Sequence, residues 1–146
     1  MDKFSFRAFN ARMRWEACLR NEEASPIIRQ VLTNGWPNSK DYGQEAVRAF
    51  WLITQHQDHD LELQKLALKE LSIAIESGYG SKRNFAYLTD RVSINSGVKQ
   101  IYGTQINHTE DGCVPRPLSD PKNVNSRRSN FGMESLDTYI SGVPGC

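Results

Sequence analysis

The groups in this chain that could do chemistry are one histidine in a polar run, a few carboxylates, an arginine pair and a cluster of amides and hydroxyls. His56 stands in Gln55-His56-Gln57-Asp58. An imidazole titrates near neutral pH, so it can act as general acid or base once a partner fixes its tautomer. Asp58 or Asp90 could be that partner. A second polar run, Gln100-Ile-Tyr102-Gly-Thr104-Gln105, has the composition of a pocket wall. With Gln55 it would supply directional hydrogen bonds to a substrate. Arg91, Arg127 and Arg128 are the cations suited to an anion, because a guanidinium offers a planar fork to phosphate or carboxylate. Adjacent arginines on a helix point about 100° apart, so at most one of Arg127 and Arg128 can face a pocket directly.

Each group also has a structural reading. His56 can cap helix carbonyls and pack under Trp36. Asp90 and Arg91 can pair locally, and Tyr102 can be core with its hydroxyl on backbone. His56-x-x-His59 with Asp58 and Asp60 could hold a metal, with His108 or Asp90 as a distant third ligand. The segment reads as a helix break and no H-E-x-x-H is present, so no metal and no cofactor is assigned. Cys113 has no clear activating neighbour in sequence and Cys18 falls in an expected helix, so neither reads as a nucleophile.

The elements that must position these groups are mostly helical. Phe4 to Arg20 places Phe6, Phe9 and Met13 at helical spacing. Ser25-Pro26 reads as a helix start after a break at residues 21–24, and Asn34-Gly35 as its end. Asp41-x-x-Gln44 has capping-box spacing before a central helix reaching about Gln57. Asp58 or Asp60 caps the next helix, in which Leu63, Leu66, Ala67, Leu71 and Ala74 repeat with the period of one buried face. Val92 and Ile94 alternate with polar residues before Asn95-Ser96-Gly97, which predicts a β-hairpin over Asp90–Gln105. Thr109–Gly112 reads as a further turn, with Cys113-Val114 as a short strand. Asp120-Pro121 or Asn123 starts a helical turn through Arg127-Arg128 to Phe131, and Ser135 caps a last short helix.

A chain of 146 residues with net charge +1 has room for one sizeable core and carries no overall field toward nucleic acid or anionic membrane. The first twenty residues mix Phe, Arg and Glu, which is neither a signal peptide nor a span. Three scattered cysteines read as free thiols in a reducing cytoplasm. One domain over 1–146 is expected. It would comprise an N-terminal helix in 1–24, a helical core in 25–89, the hairpin region in 90–114, and a C-terminal loop with short helices in 115–146. The fold class is α+β, mainly α: a helical bundle with a small antiparallel hairpin sheet.

Gly35-Trp-Pro37, Gln55-His56-x-Asp58, Asp90-Arg-Val92, Gln100-x-Tyr-Gly-Thr-Gln105 and Arg127-Arg128 before Gly132 together resemble an uncharacterised bacterial domain family. The likeness runs from about Pro26 to Ile140. It departs at Glu134-Ser135, where prolines are more usual. It implies a single bacterial domain in which these blocks matter, and it implies no reaction.

Two functions fit. In the first, a small enzyme, a hydrolase or transferase, acts on a phosphate-bearing or other anionic substrate. His56 would be acid/base, Asp58 or Asp90 its orienter, Gln100, Tyr102 and Gln105 the substrate hydrogen-bonders, and Arg91 or Arg127 the clamp. In the alternative, a non-catalytic domain uses the same polar wall to bind a small ligand or a protein partner.

Overall fold

The computed structural model describes residues 21–146, so the helix expected over Phe4–Arg20 lies outside the described residues. Among these residues are seven α-helices and one two-stranded antiparallel hairpin, the mainly helical α+β class expected. The described residues fall into two compact units that part between Ser81 and Lys82.

In the first unit, α1 (Asn21–Leu32), α2 (Ser39–Tyr42), α3 (Gln44–Gln55) and α4 (Leu61–Glu76) follow one another. Pro26 lies inside α1 rather than in its first turn, so the break expected at residues 21–24 is helical. Proline inside α1 forfeits one backbone bond, and burial of Ala24 and Ile28 on either side offsets that loss. The expected capping box is also different: Asp41 lies within α2, and Gly43, at φ 89°, occupies the cap of α3. The core draws Ile28 and Leu32 from α1, Ala46, Phe50 and Ile53 from α3, and Leu63, Ala67, Leu71 and Ala74 from α4. The α4 residues recur at i, i+4, i+8 and i+11, one stripe of a helix, as its sequence period requires. Trp36 closes the core edge-on to Phe50, ring centroids 5.2 Å apart. Asp60 caps α4 by accepting the Leu63 N–H at 3.0 Å.

The second unit opens with α5 (Lys82–Asn95). This overturns the hairpin expected over Asp90–Gln105. Phe85, Leu88 and Val92 fall at i, i+3 and i+7, and this helical stripe outweighs the two-residue alternation of Val92 and Ile94. Asn95-Ser96-Gly97 is a helix end: Gly97 takes φ 76°, and the Val98 N–H reaches back to Ser93 O at 3.0 Å. Residues 98–105 form an irregular loop. The hairpin comes next, with β1 (Ile106–Thr109) pairing with β2 (Gly112–Pro115) in the register Ile106↔Pro115 through Thr109↔Gly112. The turn read at Thr109–Gly112 is therefore present. A 3-10 turn (Pro121–Asn123) leads into α6 (Val124–Asn130). The last helix is α7 (Leu136–Gly142), capped by Ser135, which accepts the Thr138 N–H at 3.2 Å. Ala86, Tyr102 and Met133 form the core of this unit, with Ile101 and Phe131 packed against them.

Cys113 and Cys146 are joined in a disulfide, Cα atoms 5.4 Å apart, so the expectation of free thiols fails for this pair. Their 33-residue separation gives no spacing signal; the pairing depends on the tail returning to β2. Cys18 lies outside the described residues.

Candidate functional site

The polar residues of the second unit converge on the loop 100–105. Asp90, on α5 and fully buried, faces it end-on. Its Oδ1 accepts the N–H groups of Ile101 and Tyr102, each at 2.9 Å. Its Oδ2 accepts the Thr104 N–H at 2.9 Å and the Thr104 hydroxyl at 2.8 Å. Three consecutive-turn amides aimed at one carboxylate make an anion nest filled by the protein's own side chain. Gln100 ties the ends of the loop. Its Nε2 donates to Gln105 O and Arg116 O, and its Oε1 accepts the Gln105 N–H, all at 2.9 Å.

The arginine pair closes the same loop from α6. Arg127 donates from Nε to Ile101 O at 2.8 Å and from Nη2 to Ser119 O at 2.8 Å, with Asp120 O and the Asp120 carboxylate at 3.1 and 3.3 Å. Arg128 is wholly buried and donates from Nη1 to Tyr102 O and from Nε to Glu134 O, both at 2.7 Å. Its guanidinium lies over the Tyr139 ring, 4.8 Å from the centroid. Burial pulls the Arg128 pKa below the ordinary arginine value, partly offset by Glu134. Tyr139 donates its hydroxyl to Thr104 O at 2.8 Å. Tyr102 packs into the core, and burial, with Asp90 adding, raises its phenol pKa.

Asp90, Gln100, Tyr102, Thr104, Gln105, Arg127 and Arg128 are thus brought together, as a brace around one loop. Gln105 is half-buried and spends one amide N–H on Thr104 Oγ1 at 3.1 Å. Arg91 sits half-buried on α5.

The remaining candidates belong to the first unit. His56 is the C-terminal cap of α3, its N–H shared between Ile53 O and Thr54 O. That position lies at the negative end of the helix dipole. Gln64, buried on α4, fixes the turn that follows: its Nε2 donates to Gln55 O at 2.9 Å and to Asp58 Oδ1 at 3.2 Å. Gln55 and Asp58 therefore share one partner.

Sequence reasoning missed a second polar contact in this unit. Ser25 Oγ lies 3.3 Å from His59 Nε2 beside a surface cavity of about 350 Å³ lined also by Pro26, Arg29 and Asp60. It resembles a nucleophile–base pair, yet the hydrogen bonds run the wrong way. Gln57 anchors its Nε2 on Ile53 O at 3.0 Å, which turns its Oε1 toward Ser25 to accept the hydroxyl proton at 3.1 Å. Ser25 is left as acceptor for the imidazole N–H, its own proton directed at Gln57 and the Asp60 carboxylate rather than at the ring. Asp60 is held by a two-pronged pair with Arg29, at 2.8 and 2.9 Å. Burial raises its carboxyl pKa, but the Leu63 N–H and Arg29 outweigh this and hold it below the usual carboxylate range.

Among the described residues, the group of three side chains whose metal-ligating atoms lie close together is His108, Cys113 and Cys146, not the His56-x-x-His59 run. No helix among the described residues is long and apolar enough to cross a membrane. No curated protein and no solved structure matches the chain. The model of a family of unknown function, DUF6624, matches residues 13–144, and the chain belongs to that family.

Proposed function

We propose that this DUF6624 chain is a binding domain, and that the braced loop 100–105 holds a small anionic ligand or a short acidic segment of a protein partner. One observation carries the reading. The carboxylate of Asp90 and the guanidinium groups of Arg127 and Arg128, the groups best suited to orient a base or clamp a substrate, are spent largely on backbone atoms: Asp90 on the loop amides, Arg127 on Ile101 O and Ser119 O, and Arg128 on Tyr102 O and Glu134 O, with Arg128 Nη2 left without a hydrogen bond. A side chain with its bonds in place is a poor acid, base or clamp, but a good means of pre-organising a loop. Arg127 and Arg128 flank the loop, and a guanidinium recognises an anion rather than a cation.

The test is a titration followed by amide shifts. Citrate, inorganic phosphate, a nucleoside monophosphate and a short acidic peptide are added in turn to the full chain. Saturable shifts confined to residues 100–106 with at least one of them support the proposal. An unmoved loop across the whole panel overturns it.

A second reading keeps the enzyme, because Gln64 fixes Asp58 in the turn that His56 caps. There His56 is the acid/base and Asp58 its orienter, on a phosphate-bearing or other anionic substrate. Turnover of a phosphate ester or similar substrate that falls about 10²–10⁴-fold in His56→Gln would establish it in place of the binding reading. We set either function in the cytosol, where the thiol pool opens exposed disulfides.

A further inference from the structure

His108 and Cys113 face each other directly across the β1–β2 ladder. Cys146 closes on them from the C-terminal tail, its Sγ 3.6 Å from His108 Nε2. The three ligating atoms lie within 4.8 Å of one another. His108 and Cys146 are exposed and Cys113 half-buried, so solvent and ions reach the cluster.

We propose that His108, Cys113 and Cys146 form a redox-gated site for a soft divalent cation, zinc above all, closed by the disulfide and opened by its reduction. Two thiolates and an imidazole are the donor set of zinc. Bond lengths of about 2.3 Å to sulfur and about 2.0–2.1 Å to nitrogen put a thiolate and an imidazole nitrogen on one tetrahedral ion about 3.6 Å apart. That is the His108–Cys146 separation already present. The same bond lengths put two thiolates about 3.8 Å apart, so the sulfurs must part from their bonded distance. The tail can give, because its ties are few and weak: Cys146 itself, a Pro144 O contact to His108 Nε2 at 3.1 Å, a 3.9 Å approach of Gly145 O to Cys113 Sγ, and the short turn Val143–Cys146. Water fills the fourth position.

The balance is simple. A dithiol reductant gives two electrons and two protons to the disulfide, breaking the S–S bond and leaving two thiols and its own cyclic disulfide. The cation then displaces both thiol protons and forms two metal–sulfur bonds. His108 binds through the Nε2 lone pair, carrying its proton on Nδ1 and releasing Pro144 O. The disulfide and the metal exclude each other, since each uses both sulfurs.

The experiment uses the full chain in a Cys18→Ser background, so that Cys113 and Cys146 are the only thiols. One sample stays oxidised; the other is reduced with excess dithiol and desalted without oxygen. Both are titrated with Co²⁺ and then Zn²⁺. The expected result is thiolate-to-cobalt charge-transfer absorption saturating at one ion per reduced chain, displaced by Zn²⁺ and absent from the oxidised chain. His108→Ala keeps both thiols and the disulfide, so its oxidised form reports on folding. Losing a ligand should weaken binding by more than the roughly 10–100-fold that an outer-shell partner is worth. If the Cys18→Ser chain does not fold, the wild type is used, and Zn²⁺ should protect Cys113 and Cys146 from alkylation as read by peptide mass. An absent cobalt band in the reduced chain, or unchanged affinity in His108→Ala, overturns the site and leaves a structural disulfide only. In the alkylation arm, equal labelling with and without Zn²⁺ does the same.

Discussion

Replacing Asp90 by Asn tests whether one buried carboxylate holds the loop 100–105. The carboxylate accepts three backbone N–H groups and one hydroxyl, at 2.8–2.9 Å. Asn has one acceptor oxygen and one NH₂. With its oxygen toward Ile101 and Tyr102, its NH₂ faces the Thr104 N–H, donor against donor. The threonine hydroxyl can turn round and accept; the N–H cannot. A buried orphan N–H costs about 1–3 kcal/mol. The two surviving bonds fall from about 1.5–3 kcal/mol each, for a charged acceptor, to about 0.5–1.5. The sum is about 3–6 kcal/mol. Removing a fully buried charge returns some desolvation, which brings the expected net loss to about 3 kcal/mol. Urea denaturation measures it, and hydrogen exchange at Ile101, Tyr102 and Thr104 should lose protection first. Thr104→Val, which deletes the hydroxyl bond to the carboxylate and the one it accepts from Gln105 Nε2, should cost about 1.5–3 kcal/mol. A loss in Asp90→Asn below about 1 kcal/mol, with those three amides still protected, would refute the account of the brace.

Arg127→Lys should destabilise by about 1.5–3 kcal/mol in the same assay, because one ammonium cannot replace a fork that reaches Ile101 O and Ser119 O together. An unchanged stability would return Arg127 to the role of a ligand clamp. Leu71→Ala, at a fully buried site, should cost about 2–5 kcal/mol, and Leu66→Ala, half-buried on the same helix, clearly less; equal losses in denaturation would misplace the α4 stripe. Glu134 pairs with Arg83 at 2.8 Å, and that hydrogen bond holds its carboxyl pKa below the ordinary glutamate value. Its contribution is therefore present above the unfolded-state glutamate value and lost as pH falls through the lowered folded-state value. Arg83→Gln should flatten this part of the Tm–pH curve between neutrality and about pH 3. The effect should be small, since the arginine is largely exposed.

Local periodicity and end signals determined much of this protein. Most of the α4 stripe from Leu63 to Ala74 follows from spacing, as do a cap at Asp58 or Asp60, the turn at Thr109–Gly112 and the cap at Ser135, because a helix face, a cap and a tight turn are each decided within about four residues; the choice of Asp60 over Asp58 is the structure's. The hairpin read over Asp90–Gln105 failed for the same local reason. Val92 and Ile94 alone satisfy a two-residue period, and Asn-x-Gly ends a helix as readily as it turns a strand. Phe85 and Leu88, further upstream, decide for α5. The density of polar groups in Gln100–Gln105 was legible, but its use was not. Whether Asp90 meets a substrate or the amides of Ile101, Tyr102 and Thr104 depends on the loop folding back onto α5, ten and more residues along the chain. Nor does any spacing join Cys113 to Cys146 or bring His108 to them. A strand register and the return of the tail set that cluster, and only the tertiary structure fixes both.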